Sequence, residues 1–234
     1  MAEVEAHGAI LAPARRLLRG PTAATDNDRV PESTPSPPLT ERFARALTFA
    51  WQVHGRQVRK KTGIPYMAHV LAVCALALEH GADEDVAIAA LLHDAVEDSE
   101  DGAATRDRIE EQFGHRVARI VLACSDAVAV PGQPKPDWRQ RKETYLRHLA
   151  DADEDALLVS ACDKVHNAGS IVADLRAEGD AVWQRFTVKD PRLQLWYYAG
   201  VTEILMRRLP GPLTAKLGRI VDELSTLAAY DPRQ

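Results

Sequence analysis

The stretch Ala90-Leu91-Leu92-His93-Asp94-Ala95-Val96-Glu97-Asp98 decides how this chain is read. It continues an unbroken apolar run from Val86, and Asp83 ahead of it has the chemistry of a helix N-cap. The spacing predicts one helix carrying Val86 through Glu97, apolar nearly all round and therefore central in its domain. Four polar residues interrupt that run as two pairs, His93 with Glu97 and Asp94 with Asp98. Each pair is four residues apart and shares a helix face. Buried without partners, an imidazole and three carboxylates would each cost several kcal/mol. A divalent cation is the economical partner, because it neutralises the acids and accepts imidazole nitrogen. The plainer alternative is a solvated helix end with a capping histidine.

Working outward, helical signals continue on both sides. Thr40 is a plausible N-cap, and Phe43, Leu47, Ala50, Trp51 and His54 recur on one face before Gly55. A basic segment, Arg56 to Lys61, leads to the turn Thr62-Gly63-Ile64-Pro65. A second helix is expected from Tyr66 to His80, with Gly81 as its stop. Beyond the central helix, the patterns predict helices over 105–113, 115–124, 137–149, 155–175, 191–209 and 212–230. Asp126 to Pro136 holds Pro131, Gly132, Pro134 and Pro136, and is expected to be a loop, with the position of a lid. No alternating strand pattern extends beyond a few residues. The expected fold is all-α, a single-domain bundle over 39–234 with roughly nine to eleven helices.

Composition agrees. The chain has 234 residues, 46% of them apolar and only 6% aromatic, which suits a helix-on-helix core. A net charge of −5 argues against a protein that coats nucleic acid, so any bound anion must meet a local basic patch. Cys74, Cys124 and Cys162 are odd in number and far apart, which fits a reducing cytoplasm rather than a disulfide framework. No stretch reaches the ~18 apolar residues of a membrane span. Residues 1–38 hold six of the fourteen prolines and are expected to be a disordered leader with at most a short helix near 11–18.

A His-Asp pair supplies two metal ligands and not a whole site. His69 lies one turn into the second helix, and Asp163 is a charge inside the apolar run Leu158 to Val165, with Asn167 on its face. Singly, each is weak, since a lone histidine on an apolar face is usually a satisfied core residue. Together His69, His93, Asp94 and Asp163 form a His₂Asp₂ set that leaves room for water and suits Mn²⁺ or Fe²⁺.

Those four positions match, in order and rough spacing, the metal-binding residues of the HD-domain phosphohydrolases. Arg59-Lys60 with Gly63-Ile64-Pro65-Tyr66-Met67-Ala68-His69 resembles the RK…G-x-PY-x-x-H segment of the RelA/SpoT-type hydrolase domain. Ala90 to Asp98 resembles its ALLHD-x-x-ED segment, Phe113-Gly114-His115-Arg116-Val117 its FG-x-x-V, and Asp163 to Asn167 its DK-x-x-N. The resemblance spans about Leu47 to Leu175, and more loosely to Leu209. Two departures stand out. The basic turn carries one residue more between Lys60 and Gly63, and Ser125-Asp126 stands where relatives usually have Thr-Asp or Thr-Lys.

The resemblance implies a small, cytoplasmic alarmone hydrolase of the stringent response. It implies a substrate of guanosine tetra- or pentaphosphate (ppGpp or pppGpp), loss of the ribose 3′-diphosphate to leave GDP or GTP, and one Mn²⁺ ion held by His69, His93, Asp94 and Asp163. Only 58 residues follow Arg176, which reads as too few for a synthetase domain. Glu97 and Asp98 are then expected to take the proton from the attacking water. Arg59 and Lys60 should meet base and phosphates, with Asn167 beside them, and Arg141 with Lys142 the far phosphate. Arg192, Trp196 and Tyr197 on a late helix are expected to contact or stack on the guanine, a core role for Trp196 being equally open. Lys164, His166, His54, His80 and His115 are assigned second-layer or surface positions. Two readings compete: an HD enzyme acting on another nucleotide (NADPH 2′-phosphate, a nucleoside monophosphate or a cyclic nucleotide), and a non-catalytic HD nucleotide-binding module. No membrane or nucleic-acid partner is expected, and a homo-oligomer is left open.

Overall fold

The structure, a computed structural model, describes residues 39–229 apart from 129, 133 and 135. The expected leader and its short helix lie outside the described residues. Among the described residues, ten α-helices follow one another: α1 Glu41–His54, α2 Met67–Glu79, α3 Glu84–Leu92, α4 Ala95–Asp98, α5 Gly102–Phe113, α6 His115–Cys124, α7 Trp138–Asp151, α8 Glu154–Glu178, α9 Pro191–Arg208 and α10 Pro212–Ala229. A 3₁₀ turn, Gly179–Arg185, follows α8. Among the described residues the β-structure is a single bridge between Val58 and Pro65. The all-α expectation holds.

Caps explain where the helices start. Thr40 Oγ1 accepts from Arg42 N, Asp83 from Val86 N at 3.0 Å, and Asp153 from Ala156 N at 3.0 Å. Each satisfies an amide that the first turn leaves without a helical partner. Every residue of α3 from Val86 to Leu92 is buried, as its all-round apolarity requires. Ile88, Leu91 and Leu92 are fully buried, each contributing about 1.5–3 kcal/mol over the exposed state. The other spine is α8, which packs against α2, α3, α6, α9 and α10.

One expectation fails at the decisive stretch. The helix does not run unbroken from Val86 to Glu97: it stops at Leu92, His93 and Asp94 form a turn, and α4 begins at Ala95. Asp94 sits at φ −96°, ψ −4°, in the sparsely populated bridge region. The break has a geometric reason. Neighbouring residues on a continuous helix point about 100° apart and do not face each other. With the turn, the side chains of His93 and Asp94 meet, Nε2 to Oδ2, at 3.0 Å.

Candidate metal centre and substrate cleft

Three elements aim side chains at one point. His69 comes from the first turn of α2, His93 and Asp94 from the α3–α4 turn, and Asp163 from the middle of α8. His69 Nε2 lies 3.5 Å from Asp94 Oδ2 and 3.3 Å from Asp163 Oδ1; His93 Nε2 lies 3.0 and 3.7 Å from the same two oxygens. Ligand atoms of His69, His93 and Asp94 lie within 4.8 Å of one another. The set joins residues 94 positions apart.

The residues fit a divalent cation. The Nε2 atoms of His69 and His93 are buried and have no hydrogen-bond partner, although both face carboxylate oxygens. Orphaned acceptors of that kind are costly in a protein interior unless something electropositive completes them. The opposite nitrogens are committed: His93 Nδ1 to the Ala90 carbonyl at 2.9 Å, and His69 Nδ1 to His166 Nδ1 at 2.8 Å. Such outer partners set which nitrogen is free to ligate.

Electrostatics keep the acids ionised. Burial alone would raise the Asp163 pKa, but the Lys164 ammonium and the two imidazoles that face it hold it well below the ordinary value. Burial also opposes charge at Asp94, and the His93 and His69 imidazoles that face it outweigh that, holding its pKa well below the ordinary value. Lys164 Nζ donates to Asp163 Oδ2, Asn167 Nδ2 donates to Asp163 Oδ1 at 2.5 Å, and Tyr66 Oη donates to Asp94 Oδ2 at 2.6 Å. Burial, then the Asp94 and Asp98 carboxylates, raise the Tyr66 pKa, so it remains a donor.

A cleft of about 310 Å³ opens beside this centre. Arg59 forms one side. Its Nη2 donates to Asn167 Oδ1 at 2.9 Å and its Nη1 to Ser170 Oγ at 3.2 Å. The basic turn that carries it closes at Lys61, whose φ of +55° is the left-handed region that L-residues seldom adopt. Arg59 N donates to the Ile64 carbonyl at 2.9 Å, so Arg59 still faces α8 despite the extra residue. Lys60 lines the same side.

Arg141 and Lys142 line the other side and are held by Asp126. Arg141 Nη1 lies 2.6 and 2.7 Å from the two Asp126 oxygens, and Lys142 Nζ 2.6 Å from Oδ2. Glu97 faces this cluster, its Oε1 3.8 Å from Arg141 Nη1. Asp98 lines an adjoining hollow of about 590 Å³ that shares Glu97, Asp126 and Arg141 with the first.

The late helix divides. Tyr197 is buried in the cleft wall, with Lys142 Nζ 4.7 Å from its ring centre. Trp196 packs on Trp138 at 6.5 Å with the Arg139 guanidinium over its ring, and Arg192 is 87% exposed and paired with Asp190. Neither Trp196 nor Arg192 lines the cleft. Sequence reasoning passed over Tyr66, Asp126 and Ser170 as site residues. Tyr66 stood within the quoted PY segment. Asp126 stood within the Ser125-Asp126 departure, but its partners lie 15 and 16 residues on, across a loop, so the sequence did not pair them.

Comparison with known proteins follows the same lines. Residues 46–191 match the HD domain family. The chain belongs to that family, among the RelA/SpoT-type hydrolases. It is 35% identical over 136 residues to a guanosine-3′,5′-bis(diphosphate) 3′-pyrophosphohydrolase of Aquifex aeolicus, covering 58% of this chain and 18% of that protein. It is 33% identical over 131 residues to the guanosine-3′,5′-bis(diphosphate) 3′-pyrophosphohydrolase MESH1 of Danio rerio, covering 55% of this chain and 68% of the other. The chain thus spans less than a fifth of the Aquifex relative and about two thirds of the fish one. A solved structure described as a metazoan ortholog of SpoT that hydrolyzes ppGpp superposes with a TM-score of 0.63 at 25% identity, over 80% of this chain and 98% of that one. No helix among the described residues is long and apolar enough to cross a membrane.

Proposed function

We propose that this protein hydrolyses the ribose 3′-diphosphate of guanosine alarmones, releasing pyrophosphate and leaving GDP from ppGpp or GTP from pppGpp. The observation that carries the reading is the meeting of two imidazoles and two carboxylates from α2, the α3–α4 turn and α8, beside a cleft with cationic residues on both sides. Relatives whose names state this activity support it.

His69, His93, Asp94 and Asp163 would hold one divalent ion, and their mixed nitrogen and oxygen donors favour Mn²⁺ over thiol-loving metals. Such an ion supplies Lewis acidity, acidifying water and offsetting the charge of a diphosphate. Glu97 and Asp98 lie beyond the ligand turn, and we assign Glu97 the proton of the attacking water because it faces the cleft. Asp98 flanks that path on the side of the adjoining hollow. Arg59, preorganised by Asn167 and Ser170, offers a planar fork to base or phosphate, and Lys60 adds charge beside it. Lys142 and Arg141 face the departing diphosphate, and Tyr197 forms the apolar wall beneath Lys142. We assign the protein to the cytoplasm, where Cys74, Cys124 and Cys162 stay as the free thiols observed. Its partner is a small nucleotide rather than a nucleic acid or a membrane. Residues 1–38 are assigned to a leader outside the catalytic domain.

The test is a panel of phosphorylated nucleotides incubated with Mn²⁺, Mg²⁺ or Zn²⁺ and read by product chromatography. Guanosine 3′,5′-bis(diphosphate) with Mn²⁺ should yield GDP and pyrophosphate. Metal-replete protein that binds the compound and leaves it intact over hours would overturn the assignment, and turnover of NADPH or a cyclic nucleotide instead would move it to another HD reaction.

A further inference from the structure

The two cations on the α7 side of the cleft differ from Arg59 in what holds them. Arg59 is braced by an amide oxygen and a hydroxyl, neither of them charged. Lys142 and Arg141 converge on one carboxylate, Asp126, whose side chain is 3% exposed. Asp126 stands on the loop directly after α6, and the proposed chemistry has no use for it. The Lys142 side chain is itself 18% exposed and rests over the Tyr197 ring.

A buried ammonium tends to give up its proton, because its charged form loses water and gains little from apolar neighbours. The groups around Lys142 pull in both directions. Asp126 faces it from the loop and Glu97 from α4; Lys164, itself paired with Asp163, faces it from α8; Tyr197 faces it from α9; and Arg141 neighbours it on α7. Burial lowers the Lys142 pKa and the Lys164 charge adds to that, while the Asp126 carboxylate is the largest influence raising it. The balance is already a lowered value.

We propose that Asp126 is a positioning residue that keeps the Lys142 ammonium charged and aimed into the cleft, so that a nucleotide diphosphate meets a fixed cation there. Asp126 occupies one of the three ammonium N–H donors and leaves others for a phosphate oxygen. It also cancels part of the charge of this wall, on which Arg141 and Lys142 stand against Asp126 and Glu97. The kinetic consequences rest on the hydrolase reading; the charge state of Lys142 does not.

The experiment uses the full-length, Mn²⁺-loaded protein for kinetics and the same chain with Mg²⁺ for NMR. The Lys142 ¹³Cε resonance, assigned by its loss in Lys142→Arg, is titrated without substrate in the parent protein and in Asp126→Asn. The midpoint should fall by about one pH unit or more in Asp126→Asn. In that variant kcat/KM should decline about tenfold per pH unit above the new midpoint. Adding Lys142→Arg to Asp126→Asn should restore the alkaline limb, because a guanidinium does not titrate there. Equal Lys142 midpoints in the two proteins, or a loss of kcat/KM equal at every pH, would overturn the proposal. Should Asp126→Asn fail to give a native circular dichroism melt, Asp126→Glu carries the test: a retained parental midpoint supports the proposal, and a lowered one with the carboxylate present overturns it. Parent protein without turnover would remove the hydrolase reading and leave the NMR arm standing on its own.

Discussion

The four-ligand centre and the basic rim of the cleft are built from opposite materials. At the centre, His69, His93 and Asp163 are buried, their outer atoms are spoken for, and two imidazole nitrogens face carboxylates with no proton to share. That arrangement is incomplete by its own accounting and calls for a cation. On the rim the cations are already held by protein partners: Arg59 by Asn167 and Ser170, Arg141 and Lys142 by Asp126. The centre therefore has a single economical occupant, while the rim is a graded surface whose members differ in how far a substrate can draw on them. Sensitivity to substitution should fall along that gradient.

The largest effect is expected at the centre. His93→Ala removes a ligand whose Nδ1 is anchored on the Ala90 carbonyl, and the protein should lose both bound metal, by elemental analysis of the purified sample, and detectable turnover. Glu97→Gln sharpens the boundary between centre and rim: it should retain metal and lose turnover by roughly 10²–10⁴-fold, the usual range for a general base. Equal metal loss in the two variants would make Glu97 a ligand and redraw the centre.

On the rim, Arg59→Lys keeps the charge but abandons the fork that engages Asn167 and Ser170 together. KM for the alarmone should rise about tenfold, the loss of one charge-assisted hydrogen bond, with kcat less affected. Smallest of all should be Arg192→Ala, whose side chain is in solvent, and Trp196→Ala, which should lower the melting temperature through lost packing on Trp138 and change KM within about twofold. An Arg192→Ala defect as large as that of Arg59→Lys would break the gradient and return the late helix to substrate binding.

Much of this was legible before any coordinates. The helix starts at Thr40 and Asp83 follow from capping chemistry, and the central position of α3 follows from its all-round apolarity. His69, Asp94 and Asp163 stood out because a charge or imidazole inside an apolar run needs a partner. What escaped was set by neighbours distant in the chain. The helical reading of residues 93–98 paired them by face at four-residue spacing; the backbone instead turns at His93–Asp94, which makes the adjacent pair the contact. Basic residues were the weakest signal, since Arg141, Arg192 and Lys60 look alike in a sequence, and only one of the three is held by a buried acid.

By itself the sequence determined that this is a helical protein with a polar set too costly to bury unpaired, because helix periodicity and desolvation are properties of short segments. Tertiary structure decided which polar residues meet, where the helix breaks to let them meet, and which cations line a cleft rather than solvent. Those outcomes depend on how α2, α4, α7 and α8 pack, and packing sums interactions between residues that the chain itself keeps far apart.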